Sequence, residues 1–150
     1  MHVETQFSIF MVNKPGVLAQ VLSAFAGAKI NIVALTMMDS VEHGVMRVVA
    51  GSPEKVRKVL GRLNMPNSES EVMCVNLPNK SGAFAAVAQK LAEAHINISY
   101  AYCTAGARGG RTTGIMKVGD VKKAMKVLEA SSAKKAKSKK AVRRSPASRK

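Results

Sequence analysis

The residues of this sequence that could do chemistry gather in two short stretches, 13–18 and 79–84, each at the start of an amphipathic helix. The first N–H groups of a helix have no partner inside it, and the helix dipole makes that end positive. Such donors favour a carboxylate, and glycine there lets a ligand approach the backbone closely. The donors belong to Gly16, Val17 and Leu18 in the first stretch and to Gly82, Ala83 and Phe84 in the second.

Four asparagines lie next to these helices. Asn13 and Asn79 end the predicted strand before each helix, and Asn31 and Asn97 begin the predicted strand after it. An amide side chain is both a donor and an acceptor, which suits an α-amino acid with its ammonium and carboxylate groups. The alternative interpretation is structural, because asparagine often caps a helix or forms a turn, and glycine in a turn is often only a turn residue.

The two stretches belong to an internal repeat. Residues 13–32 and 79–98 are identical at 10 of 20 aligned positions. Such a period indicates one module built twice. The repetition favours a binding role only in part, because structural residues are repeated as well. Shorter matches continue the repeat, 44–48 with 114–118 and 58–60 with 126–128.

The hydrophobic pattern of each copy predicts the element order β-α-β-β-α-β. This is an α+β, ferredoxin-like fold, an antiparallel sheet with two helices on one face. The second copy is predicted to lack its last strand, since the chain passes from Ala130 directly into a basic tail. We therefore divide the chain into copy one (1–70), copy two (71–130) and the tail (131–150). Because a module of about 60 residues is marginal alone, we expect the copies to pack on each other, the chain to dimerise, or both.

The turn and strand of copy one resemble the ACT domain, the small-molecule-sensing module of amino-acid metabolism, in Asn13-Lys14-Pro15-Gly16-Val17-Leu18 and Ile30-Asn31-Ile32. The resemblance covers residues 6 to about 130 as a tandem pair, similar to small stand-alone ACT proteins with no attached enzyme. It implies amino-acid binding at an interface between ACT units, through the turn, the helix start and the following strand. Carried onto this sequence, the contacts are Asn13, Gly16, Val17, Leu18 and Asn31, with Asn79, Gly82, Ala83, Phe84 and Asn97 in copy two.

We find no residues arranged for catalysis or for a cofactor. The sequence shows no nucleophile–histidine–acid triad and no paired carboxylates, and residues 106–110 lack the Gly-Lys-Ser/Thr ending of a phosphate-binding loop. Cys74 and Cys103 stand far apart, which predicts reduced thiols in a cytoplasmic protein and no zinc site. The chain is therefore predicted to be neither an enzyme nor a metalloprotein.

The basic character is concentrated in the tail. The net charge is +15, and residues 131–150 hold nine of the 24 Lys and Arg residues and no acid. This composition cannot form a core and predicts disorder. The tail would either contact nucleic acid without sequence preference or only keep the protein soluble. No apolar run is long enough to span a membrane, and no leader sequence precedes the first strand, which predicts a cytoplasmic protein.

Together these observations predict a non-catalytic sensor that binds a free amino acid, forms a homodimer and passes its state to a partner. Two alternatives stay open. The first turn also looks like that of the acetohydroxyacid synthase small subunit, which predicts a regulatory subunit of a biosynthetic enzyme. The tail instead predicts a nucleic-acid-associated protein in which the ACT pair is the dimerising unit.

Overall fold

The computed structural model describes residues 1–39, 43–104 and 110–130. The sequence also predicts a turn at residues 39–44 and a glycine-rich hairpin loop at residues 105–111. Residues 40–42 of that turn, residues 105–109 of that loop and the basic tail lie outside the described residues. The predicted element order is confirmed for both copies. The elements are β1 (His2–Val12), α1 (Val17–Gly27), β2 (Ile32–Asp39), β3 (His43–Ala50), α2 (Pro53–Arg62), β4 (Asn67–Pro78), α3 (Ala83–Glu93), β5 (Ile98–Cys103), β6 (Arg111–Val118) and α4 (121–130).

Helix α1 ends in a left-handed residue that turns the chain toward the next strand. Lys29 has φ +54°, the Ile30 N–H donates to the Phe25 carbonyl at 3.0 Å, and the Lys29 N–H donates to the Ala26 carbonyl at 3.0 Å. This pair of bonds satisfies helix-end carbonyls and buries the apolar residue that follows. Helices α2 and α3 end in the same way at Asn64 and His95, so His95 has a clear structural role.

The strands form one antiparallel sheet in the order β2-β3-β1-β4-β6-β5. Strand β4 serves both copies, because residues 67–74 pair with β1 and residues 73–78 pair with β6. Within the described residues the last strand of copy two is not found, and the first residues of β1 lie where that strand would begin. The predicted division between residues 70 and 71 falls inside β4, so the sequence repeat is not a break in the sheet.

All four helices cover the same face of this sheet. Residues of the helix face alternate along each strand, and the register places Phe7 and Met73 on that same face. Each copy has its own buried cluster there. The first contains Phe7, Ile9, Val21, Phe25, Met46 and Leu60, and the second contains Met73, Leu77, Leu91, Met116 and Ala124.

The opposite face of the sheet is concave, and side chains from strands that are not neighbours contact each other across it. The Gln6 side chain of β1 donates to the Tyr100 hydroxyl of β5 at 2.6 Å, although three strand spacings, about 14 Å, separate those strands in a flat sheet. Arg47 of β3 lies 3.8 Å from the centre of the same tyrosine ring. The curl buries a third apolar cluster without any helix. Its members are Ala34, Val49, Val72, Cys74 and Ile115, with Tyr102 packed against them.

Candidate functional site

The turns before α1 and α3 have the same geometry. Gly16 precedes α1 with φ +91° and Gly82 precedes α3 with φ +77°, and neither helix start has a side-chain cap. A side chain at such positive φ values is strained, which explains glycine at both positions. A Cβ atom added to either glycine would meet no atom within 4 Å, so both turns are open to a ligand.

Some of the predicted helix-start donors remain available. The Val17 N–H reaches the Lys14 carbonyl over a long 3.4 Å, and the Ala83 N–H reaches the Lys80 carbonyl over 3.3 Å. The next two N–H groups in each helix have no acceptor among the residues that the structure describes. These groups at the positive end of the dipole can receive an anion. They belong to Leu18 and Ala19 in α1 and to Phe84 and Ala85 in α3.

The side chains of two predicted contact residues are partly buried and pack against the core. Leu18 packs against the first cluster and Phe84 against the second. The Phe84 ring lies directly over Gly114 of β6, where an added Cβ atom would stand 2.9 Å from the ring. The backbone N–H groups of Leu18 and Phe84 are therefore the polar groups that these two residues can offer a ligand.

The structure does not bring together the two asparagines of one copy. Asn13 follows Val12, which pairs with His43, whereas Asn31 precedes Ile32, which pairs with Ala50 at the other end of β3. Seven residues of extended strand separate these ends by about 24 Å. Asn79 and Asn97 are separated in the same way along β6. One copy thus presents the predicted turn and the predicted strand asparagine at opposite ends of its sheet.

Asn97 lines a cleft with charges of both signs. The cleft has a volume of about 320 Å³ and lies between the end of α3 and the start of α4. Asp120 accepts a hydrogen bond from the Lys123 N–H at 2.9 Å and so caps the start of α4. The sequence pattern gave no indication that Asp120 would lie beside Asn97 in this cleft. The residues lining the cleft with Asn97 include His95, Asp120 and Lys123.

A polar cluster in the curl of the sheet links the copies. The Tyr102 hydroxyl donates to Gln6 Oε1 at 3.0 Å, and Gln6 Nε2 donates to Tyr100. Arg47 covers the Tyr100 ring, and its buried Nε has no hydrogen-bond partner among the described residues. Burial, and then the neighbouring Tyr100, raise the pKa of Tyr102 well above its ordinary value. Both tyrosines therefore take part in the packing between the two copies.

No other type of site is found in the described parts of the chain. No three His, Cys, Asp or Glu side chains within residues 1–39, 43–104 and 110–130 come together as they would around a metal ion. In the same ranges no helix is both long and apolar enough to cross a bilayer. What the fold and the turns define is a duplicated ferredoxin-like module with two exposed helix starts.

The chain belongs to the ACT family, because the family model of the ACT domain pair matches residues 1–140. The resemblance noted in the sequence is thereby confirmed. A search of curated proteins found no significant match.

Solved structures agree with this assignment. A protein from Bacteroides thetaiotaomicron is 28% identical with a TM-score of 0.80, over 87% of this chain and 89% of that one. The ligand-free regulatory subunit of aspartate kinase from Thermus thermophilus is 14% identical with a TM-score of 0.63, over 87% and 97% of the two chains. Aspartokinase alpha and beta subunits are 20% identical with a TM-score of 0.55, over 87% and 96%. The last two likenesses concern the fold alone.

Proposed function

We propose that this ACT pair is a non-catalytic regulatory protein of the cytoplasm that binds a free amino acid. The observation that carries the proposal is the matching pair of helix starts, each with a left-handed glycine and N–H donors that lack a protein acceptor among the described residues. The ligand carboxylate would bind these donors. The likeness to a regulatory subunit of aspartate kinase supports the regulatory role as an analogy of fold.

We propose further that the amino-acid site is completed between two chains. The turn at Asn13 and the strand start at Asn31 lie at opposite ends of one copy, so one copy cannot use both on the same ligand. A second chain in antiparallel contact would place its own Asn31 near the first chain's turn. In copy two the same argument applies to Asn79 and Asn97.

The edge strand β2 is the surface on which we place this homodimer. It pairs only with β3 among the described strands, and its exposed side chains are mostly apolar. An exposed apolar edge presents free backbone groups that favour pairing with another strand. Antiparallel pairing of two β2 strands sets the start of one beside the end of the other, which is the arrangement that the site requires. The exposed apolar residues are Val33, Leu35, Met37 and Met38.

A screen of the twenty amino acids by thermal shift tests the ligand. We expect one chemical group of amino acids to raise the melting temperature, since a ligand at 100 times its Kd stabilises the fold by about 2.7 kcal/mol. Gly16→Ala and Gly82→Ala place a methyl group at the helix starts and should reduce this shift. Gly61→Ala, where an added Cβ atom on α2 meets no atom within 4 Å, is the control and should leave the thermal shift unchanged. No response to any amino acid would refute the proposal.

Charged substitutions on β2 test the dimer. We expect Leu35→Lys and Met37→Lys to convert the dimer into a monomer, because they set like charges facing each other across the paired edges. The measurement is molar mass by light scattering during size-exclusion chromatography. Ala26→Lys, exposed on α1, adds the same charge elsewhere and should leave the dimer intact. A native chain that is monomeric at all concentrations would contradict the proposed interface.

The likeness of fold to the aspartate kinase regulatory subunit favours a second candidate function, regulation of a biosynthetic enzyme as a separate subunit. Recovery of the protein together with a catalytic chain would support it, and recovery with only itself would count against it. The hypothesis of an acetohydroxyacid synthase regulatory subunit is one form of this candidate. The hypothesis of a nucleic-acid-associated protein depends on residues 131–150, which lie outside the described residues, and it stays a prediction from the sequence.

A further inference from the structure

Among the described residues, the second half of β4 has no strand on one side in copy two. Its pairing with β1 stops at Cys74, which lies opposite His2, and residues 75–78 pair only with β6 among the described strands. In copy one β4 reaches only the start of the equivalent flank of β1, where Ile9 pairs with Asn67 and the Phe10 N–H donates to the Pro66 carbonyl at 2.8 Å. The backbone groups of residues 75–78 that point away from β6 therefore have no strand partner among the described residues.

A cavity of about 260 Å³ occupies this flank. Its apolar floor comes from three elements, with Val75 and Leu77 on β4, Val87 on α3 and Leu128 on α4, and Met1 closes one end. An engineered apolar cavity of about 150 Å³ is known to hold benzene, so this cavity has room for a small ligand of roughly ten heavy atoms. The floor would contact an aliphatic chain.

The rim of the cavity is cationic. Lys90 and Arg111 line it, no carboxylate side chain does, and neither cation forms an ion pair with a residue that the structure describes. Asn76 adds an amide whose Oδ1 accepts a hydrogen bond from Thr113 at 3.1 Å, so its Nδ2 remains available as a donor. Lys90 is specific to copy two, since Ala24 holds its place in copy one and packs against the core there.

We propose that this flank cavity binds an aliphatic monocarboxylate, with its hydrocarbon chain on the apolar floor and its carboxylate held by Lys90 and Arg111. Charge-assisted hydrogen bonds to a carboxylate are among the stronger polar contacts in proteins. Two cationic side chains with no acidic side chain beside them therefore favour an anionic ligand. A zwitterion fits less well, because no lining side chain carries a negative charge to pair with its ammonium group. The site is distinct from the helix starts, so it does not depend on the proposed amino-acid site.

Calorimetric titration of the full chain tests the proposal with three probes of equal chain length. Hexanoate should bind, norleucine should bind more weakly because of its ammonium group, and hexylamine should give no heat. Lys90→Gln and Arg111→Gln should each weaken hexanoate binding about tenfold or more. Arg62→Gln removes an exposed cation from α2 of copy one and should change nothing.

Three outcomes would overturn the proposal. They are no heat with hexanoate up to about 10 mM, equal affinity for hexanoate and hexylamine, and unchanged hexanoate binding by both cation variants. Thermal unfolding of each variant shows whether it is folded. Because Lys90 and Arg111 are not part of the helix-start sites, a failed amino-acid screen and a failed hexanoate titration would be independent results.

Discussion

Replacing Gln6 with alanine is expected to lower the free energy of unfolding by about 2–4 kcal/mol. Gln6 is wholly buried on the concave face. Its side chain forms hydrogen bonds with both tyrosine hydroxyls of β5, at 2.6 Å with Tyr100 and at 3.0 Å with Tyr102. Its loss leaves a cavity and removes the partner of two partly buried hydroxyls. Urea unfolding measures the change. Ser8→Ala, two residues along the same face and only half-buried, is the control and should cost far less.

The stability that Gln6→Ala removes should depend on whether Tyr102 is present. Tyr102→Phe alone leaves the Gln6 carbonyl oxygen unpaired, so the double variant Gln6→Ala, Tyr102→Phe should lose less stability than the sum of the single variants. Strict additivity of the stability losses of the two substitutions would show that the hydrogen bond contributes nothing.

The pKa of Tyr102 is raised by burial, so the folded state keeps a proton that the unfolded chain releases near pH 10. The free energy of unfolding should therefore fall as pH rises above about 10, and Tyr102→Phe should reduce this fall.

Replacing Gly114 with alanine is expected to cost about 1–3 kcal/mol of stability through overpacking. The new Cβ atom would stand 2.9 Å from the Phe84 ring and 3.5 Å from the Leu77 side chain, so the ring would have to shift. Thermal or urea unfolding measures the loss. Gly119→Ala, one residue beyond β6, meets no atom within 4 Å and is the matched control.

A second substitution should rescue the Gly114 variant. Copy one has Leu18 at the position of Phe84, with Gly44 at the position of Gly114. Phe84→Leu should therefore recover part of the stability lost by Gly114→Ala, because a smaller side chain leaves room for the methyl group. If Gly114→Ala proved as stable as the native chain, the packing of Phe84 on β6 would be wrong. Since Phe84 lies in the first turn of α3, the rescued chain should also be tested in the amino-acid screen.

The buried polar cluster gives the two copies a physical means of influencing each other. Gln6 and Arg47 come from copy one, and both contact Tyr100 of copy two. Strand β4 is also continuous from one copy to the other. A ligand that moved one helix start would therefore act on a sheet whose two halves share hydrogen bonds and a core. Ligand affinity measured in Gln6→Ala would show whether this contact transmits binding.

Local features of the sequence determined much of the fold. The spacing of apolar residues predicted the helices, the β-branched runs predicted the strands, and the repeat predicted two ferredoxin-like units. The glycines at residues 16 and 82 marked the helix starts because only glycine accepts their backbone angles without strain. These properties depend on residues close together in the chain, so they can be recognised without coordinates.

Only the tertiary structure decided how the copies join and where the candidate sites lie. It showed that β4 belongs to both copies, that the helix-free face curls around Gln6, and that Asn13 and Asn31 stand at opposite ends of one sheet. It also showed the open flank beside residues 75–78. Strand register, sheet curvature and cavities arise from contacts between residues far apart in sequence. No local pattern specifies those contacts, and for that reason the sequence predicted the modules but not their arrangement.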